Sequence, residues 1–484
     1  MNRLEWPRDG RHVFAGGDWM EIADGSLIPC ISPIDESVIA HVAAAQPSDV
    51  DRVVEAAQTA AESWGTTDLA ERAQYLAIFA DKMAEHADEL AEIETTDGGL
   101  TRRSAQANVG KCISWIQDYS SFALELRGQT YPSTGKTLLF TRREPYGVVA
   151  RITPFNHPMN SVVQAISPAL LAGNATIVKP PEQCSLSALA LAAIAREVLP
   201  PGVLSVVTGY GAEAGNALVA HPEIRRVGFT GSVSTGQRIL QAAAKAGIKH
   251  VTVELGGKNP LVVTGDADPE FAAAIAFRGM NFGHAGQSCM STSRILLHDD
   301  IYDDVVDRLA AKMASLKIGD PREESTDVGP LAFESHYRRV LDYIEIGAAE
   351  GAEVRAGGRP AAGFERGFYL EPTLFAGVTP TMRIATEEIF GPVVSALRWR
   401  SVDEMLTIAN DTTFGLNCRV IAGTADEGLA IGSKIKSGMC FVNTNDRLPF
   451  GMPFGGSRDS GLGKENCVEE VLSYTHERSY VVGL

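Results

Sequence analysis

Apolar residues recur at three- and four-residue spacing from about Asp49 to Gly128, through "DVDRVVEAAQTAAESW", "LAERAQYLAIFADKMAEHADELAEIETTDGG" and "SAQANVGKCISWIQDYSSFALELRG". That period predicts helices separated by glycine breaks. From Tyr146 the pattern changes to short β-branched runs, "YGVVARITPF", "NATIVKPP", "VLSVVTG" and "RRVGFTGS", alternating with helical stretches such as "SLSALALAAIAREVL" and "GQRILQAAAKAG". Strand and helix alternating at this pace predict a parallel, doubly wound α/β sheet.

A second alternating region begins near Val251 and includes "NPLVVTGDAD", "TSRILLHDD", "DDVVDRLAAKMASLKIG", "FYLEPTLFAGV", "DEMLTIANDT", "CRVIAGTAD" and "GMCFVNTND". Two α/β domains in series are expected. Between the first helices and the first sheet, "GQTYPSTGKTLLFTRREPYG" alternates as a hairpin does, and "SYTHERSYVVGL" reads as a terminal strand. Two exposed strands need an edge to pair with, and a second subunit could supply it, so a homo-oligomer is expected.

Bulk properties narrow the partners. A chain of 484 residues exceeds what one core supports. Its net charge of −17 would repel phosphate backbones and anionic lipid, which argues against nucleic acid and membrane surfaces. The first residues hold no apolar run of signal-peptide length and no segment reaches the length of a membrane span, so a cytoplasmic protein is expected. The seven cysteines are odd in number and scattered without a C-x-x-C pair, which argues against a disulfide framework and against a metal site.

Candidate chemistry lies just beyond the strands, where open α/β sheets bind ligands. No intact G-x-G-x-x-G occurs, and "GYGAEAG" is a near miss. "GFTGSVSTG" places Gly231 and Ser232 between a strand and a helix, suited to a phosphate at a helix N-terminus or to a plain tight turn. Lys179 and Glu182 in "IVKPPEQ" could hydrogen-bond ribose hydroxyls, with the carboxylate disfavouring a 2′-phosphate, or could be a solvated pair. Glu254 in "VELGGKNP" could be a general base with a raised pKa or could cap its loop. Asn156 in "TPFNHP", bracketed by prolines, suits an oxyanion hole or a turn. Cys289 in "GQSCMS" is a nucleophile only if something gives it thiolate character, and His284, five residues upstream, carries little geometric force as its partner.

Taken together and in this order, "TPFNHP", "IVKPPE", "GFTGS", "ELGGKNP", "GQSC", "EEIFGPV" and "MPFGGSRDSGLGKE" strongly resemble the aldehyde dehydrogenase superfamily, from about Pro33 to the C-terminus. The resemblance implies a Rossmann-like cofactor-binding domain over residues 1–124 and 146–252. It also implies an α/β catalytic domain over 253–452 and a small β oligomerisation segment over 125–145 and 453–484, assembling as a homodimer or homotetramer. It implies Cys289 as the nucleophile, Asn156 with the Cys289 backbone N–H as the oxyanion hole, and Glu254 as the base that hydrolyses a thioester to a free acid. It implies NAD, with NADP possible, held by Lys179, Glu182, Gly231, Ser232, Pro154, Phe155, Glu388 and Phe390, with Lys258 in the adjoining loop. CoA-acylating relatives lack the hydrolytic glutamate, and a silent paralogue would have lost Cys289, Glu254 or Asn156; all three are present here.

For the substrate, His157, Ser161 and Gln164 share a helical face by spacing, and Ser288 and Met290 flank the nucleophile. A mixed polar pocket is expected, suited to a hydroxylated, amino-bearing or aromatic hydroxy-aldehyde. The alternative is a semialdehyde dehydrogenase that uses Arg447 to hold a distal carboxylate.

Overall fold

The computed structural model describes residues 3–444, 446 and 448–484, and among them the two alternating regions form two main sheets. The first has the spatial order Gly461–Leu462, His250–Glu254, Ile224–Thr230, Val148–Ile152, Ala175–Lys179, Leu204–Val206, His12–Ala15 and Asp18–Glu21. The strands from His250–Glu254 to Leu204–Val206 are all parallel. Val148–Ile152, the earliest of them in the chain, sits in the middle, with the next two on one side and the last two on the other. The winding therefore reverses between Val148–Ile152 and Ile224–Thr230, and a crevice opens beyond their carboxyl ends.

"VVARI" and "ATIVK" are buried at every position, as a parallel sheet covered on both faces requires. The helices Leu69–Glu85, Arg102–Ser120, Pro158–Leu171 and Leu186–Val198 build one core, and Pro47–Trp64 with Val233–Ala246 build the other. Two cations inside these apolar runs are paired: Arg151 with Glu465, and Lys179 with Glu182.

The second sheet has the order Glu353–Ala356, Thr373–Ala376, Val393–Trp399, Arg294–His298, Pro260–Val263, Asn417–Ile421 and Met439–Val442. It is parallel except for the Glu353–Ala356 edge. Residues 255–259 join His250–Glu254 of the first sheet directly to Pro260–Val263 of the second. Among the described residues no helix is long and apolar enough to cross a membrane.

Thr137–Pro145 and Thr475–Gly483, the two strands expected to need an edge, pair antiparallel with each other in a two-stranded sheet of their own, with Phe140 stacked on Tyr480 at a centroid distance of 4.8 Å. Thr130 and Thr134 bridge to Phe140 and Thr137, which folds the hairpin segment back on itself. Gly461–Leu462, from the stretch counted with the bridging arm, instead adds an antiparallel edge to the first sheet.

Two buried acids position the helices that flank the crevice. Glu94 accepts the Met159 N–H at 3.2 Å and Asp97 accepts the Leu186 N–H at 2.9 Å, each at a helix N-terminus where negative charge is favoured. Burial pushes each carboxyl up to about 7. Because the folded values lie above the unfolded ones, this contribution to stability is fully present at acid pH and is lost as pH rises through about 7. Thermal melts of E94Q and D97N are expected to decline less steeply than wild type from mildly acid to mildly alkaline pH; parallel curves would exclude these groups as the source.

Candidate active site

The segment leaving Val148–Ile152 runs through Thr153, Pro154, Phe155, Asn156 and His157 into the helix Pro158–Leu171, whose first position is proline. Proline fixes the backbone on both sides of Asn156. The buried Asn156 amide donates to the Gln287 carbonyl at 2.9 Å, two residues before Cys289. An amide carries two N–H groups, so Asn156 has a second donor, and it lines the same cleft as Cys289.

Cys289 sits on a contorted loop. Asn281 and Ala285 adopt left-handed backbone conformations, and Gly286 does so where a Cβ would collide with the Gly391 carbonyl. Phe390, on the facing segment, is also left-handed. Non-glycine residues in this region cost on the order of 1 kcal/mol each and mark functional sites. Asn259 clamps the loop, donating to the carbonyls of Cys289 at 2.6 Å and Ser291 at 2.9 Å.

The electrostatics of the site are lopsided. Burial, then Glu388, Glu254 and Glu465, push the Cys289 thiol up to about 12. Glu254 ends the strand His250–Glu254; it is buried, and neither carboxylate oxygen has a hydrogen-bond partner. Burial and the neighbouring Glu465 hold this carboxyl well above the usual range, while Lys464 and Arg151 oppose the shift. Lys258 is buried with an unpartnered Nζ, and burial drives its ammonium down to about 7. Of the three carboxyls, Glu254 and Glu388 line the cleft with the thiol, and Glu465 is paired with Arg151.

A cleft of about 960 Å³ lies beyond the carboxyl ends at the reversal point. Cys289, Glu254 and Asn156 line it together with Pro154, Phe155, Lys179, Glu182, Gly231, Ser232, Glu388 and Phe390. Residues from six separate stretches of sequence thus converge. Lys179 Nζ donates to Glu182 at 3.2 Å and to the Pro180 carbonyl at 2.8 Å. Ser232 caps the helix Val233–Ala246, its hydroxyl accepting the Thr235 N–H. Glu388 accepts the Gly257 N–H at 2.8 Å, and a Cβ at Gly256 would collide with that carboxylate.

Other wall residues carry no local signal in the sequence: Arg238, Phe333, His336 and Arg339. Phe333 meets Phe155 edge to face at 4.9 Å, and His336 shares a hydrogen bond of 2.8 Å with the Phe390 carbonyl. The near-miss "GYGAEAG" also reaches the wall, through Gly211 to Glu213 and Gly215.

The five residues expected around the substrate stand off this wall. Gln164 donates to Asn466 at 3.0 Å, Ser161 is buried on the same helix, and the His157 ring lies 4.4 Å from that of His284. Ser288 Oγ accepts the Met290 N–H, and Met290 packs on Leu416, Met439 and Phe441. Arg447, the semialdehyde candidate, lies outside the described residues. Among the described residues no cluster of His, Cys, Asp and Glu is fit to hold a metal.

The chain is similar to known proteins over nearly its whole length. The chain is 40% identical to a hydroxyisobutyraldehyde dehydrogenase of Mycolicibacterium austroafricanum over 98% of this chain and 94% of that protein. It is 38% identical to mouse aldehyde dehydrogenase 1A1, over 96% and 93% respectively. The solved structure of a Bacillus cereus aldehyde dehydrogenase in complex with NAD+ superposes with a TM-score of 0.94 at 38% identity, covering 98% of this chain and 96% of that one. The model of the aldehyde dehydrogenase family matches residues 19–480, and the chain belongs to that family.

Proposed function

We propose that this enzyme oxidises a small polar aldehyde to the carboxylic acid, with NAD as hydride acceptor and NADP as a possible substitute. The observation that carries this reading is the convergence of Cys289, Asn156 and Glu254 with all eight expected cofactor residues on one cleft. The cleft suits a dinucleotide: a capped helix N-terminus without acidic residues in its first turn, a glycine with no room for a Cβ, and the Lys179–Glu182 pair at ribose-binding positions. Glu182 favours NAD because a carboxylate repels a 2′-phosphate. A relative of this chain is solved as an NAD+ complex, which supports the same choice.

Cys289 loses its proton to solvent and the thiolate adds to the aldehyde carbon to form a thiohemiacetal, whose oxyanion accepts from the second Asn156 N–H and the Cys289 backbone N–H. A bound nicotinamide would supply the acceptor for the hydride of that carbon. The resulting thioester is attacked by a water whose proton passes to Glu254, and the acid leaves as the thiol is restored. Asn259 holds the nucleophile's loop throughout. A relative named for hydroxyisobutyraldehyde supports a hydroxylated aldehyde as substrate.

In this reading residues 1–124 and 146–252 carry the cofactor and 253–452 the nucleophile. Segments 125–145 and 453–484 join copies into a homodimer or homotetramer; exposed Leu138, Val481, Val482 and Leu484 on the paired arm support that role. Seven free cysteines suit the reducing cytoplasm.

C289A is expected to lower NADH formation by a factor on the order of 10⁴ or more while NAD still binds by calorimetry. Retained turnover would refute the nucleophile. E254Q is expected to give one rapid equivalent of NADH, then turnover slowed by roughly 10²–10⁴, with a thioester visible by mass spectrometry. Both groups sit above their ordinary pKa and act deprotonated, so wild-type turnover should rise from mildly acid to mildly alkaline pH; a flat profile would remove Glu254 as base. Across a panel of aldehydes, small hydroxylated substrates should give the highest kcat/KM, and a preference for long alkanals would sink the polar pocket.

A further inference from the structure

The second sheet ends in two strands, Asn417–Ile421 and the edge strand Met439–Val442, paired in parallel with Cys418 opposite Cys440. Register partners on neighbouring strands lie about 4.8 Å apart. That spacing falls inside the roughly 4.4–6.8 Å Cα separation that a disulfide spans. In a parallel pair, register partners also project to the same face, so the two thiols lie side by side. The helix Ala425–Gly432 closes over that face through glycines: a Cβ at Gly432 would collide with Cys440 Sγ, and one at Gly428 would collide with Val442. Cys418 is buried beneath, whereas Cys440, on the outer strand, is exposed. The alternate positions Met439 and Phe441 face the other way and pack against Cys289 and Met290.

We propose that Cys418 and Cys440 form a peroxide-reactive dithiol that closes to an intrachain disulfide across this edge of the sheet, on the face opposite Cys289. Cys440 is the attacking sulfur. It displaces hydroxide from the peroxide O–O bond, losing two electrons and becoming a sulfenic acid. Cys418 then attacks that sulfur, the S–S bond forms, and the Cys418 proton leaves with the hydroxyl group as water; in total one peroxide and two thiols give one disulfide and two waters.

Local chemistry separates this pair from the other thiols. Peroxide reacts with thiolate, so the sulfur that ionises most easily and is reachable reacts first. Of the seven cysteines, Cys440 alone is held below its ordinary value, by the hydrogen bond from Cys418; burial raises Cys30, Cys112, Cys184 and Cys467, and Cys289 is pushed up by burial and its carboxylates. Cys418 is raised in turn, which keeps the shared proton on the buried partner until the second step.

The test is a graded hydrogen peroxide titration of the full-length protein, followed by alkylation, tryptic cleavage and mass spectrometry. Arg419, Lys434 and Lys436 let trypsin separate the two cysteines. A Cys418–Cys440 linked peptide is expected at lower peroxide than any oxidation of Cys289, disappearing on treatment with dithiothreitol. C418S should instead accumulate a Cys440 sulfenic acid trapped by a cyclic diketone, and C440S should show neither product while oxidising aldehyde at the wild-type rate. Prior oxidation of Cys289, a Cys440 that stays reduced, or a Cys440 bridged only between two chains would overturn the proposal.

Discussion

One buried amide ties the parts of this enzyme together. Asn259 stands on the short link between the two sheets, gives its two N–H groups to the carbonyls of Cys289 and Ser291, and accepts the N–H of Asn417 from a strand of the second sheet. A buried amide with its bonds filled fixes orientation more firmly than apolar packing does. The link, the nucleophile's loop and the second sheet therefore move as a unit. The loop's left-handed residues persist because this clamp, with Asn156 on Gln287, over-determines them.

The charge arrangement follows from the same architecture. Glu254 and Glu388 line the cleft with the Cys289 thiol, Glu465 is paired with Arg151, and burial drives the Lys258 ammonium toward neutrality. The end of the cleft lined by these carboxyls suits a cationic ring, and the capped N-terminus of Val233–Ala246, with no acidic residue in its first turn, suits a phosphate. Electrostatics and shape thus select the same class of ligand without a glycine-rich dinucleotide fingerprint.

Much of this was legible in the sequence. Period-two and period-three-and-four patterns separated the sheets from the helices, and residues just after predicted strands proved to be those that converge, because a parallel sheet brings all its carboxyl ends to one edge. What was not legible depends on long-range packing. Arg238, Phe333, His336 and Arg339 reach the wall only because their helices dock where they do. The spacing of His157, Ser161 and Gln164 fixes a shared helix face, but the direction of that face is set by neighbours such as Asn466. Alternation marked Thr137–Pro145 and Thr475–Gly483 as strands and held no information that they were each other's partner.

The C-terminal stretch makes this chain dependent on the order in which it is made. Arg151, buried in the middle of the first sheet, finds its counter-ion in Glu465, 314 residues later, and Tyr119 finds Glu470. A buried cation without its partner is strongly destabilising. The cofactor-side sheet therefore cannot settle as soon as its own strands have left the ribosome. It waits, incompletely neutralised, for Glu465, so a nascent chain stalled or clipped before that residue is left with an unpaired buried cation in the first sheet even though nearly all of that sheet's strands are already present.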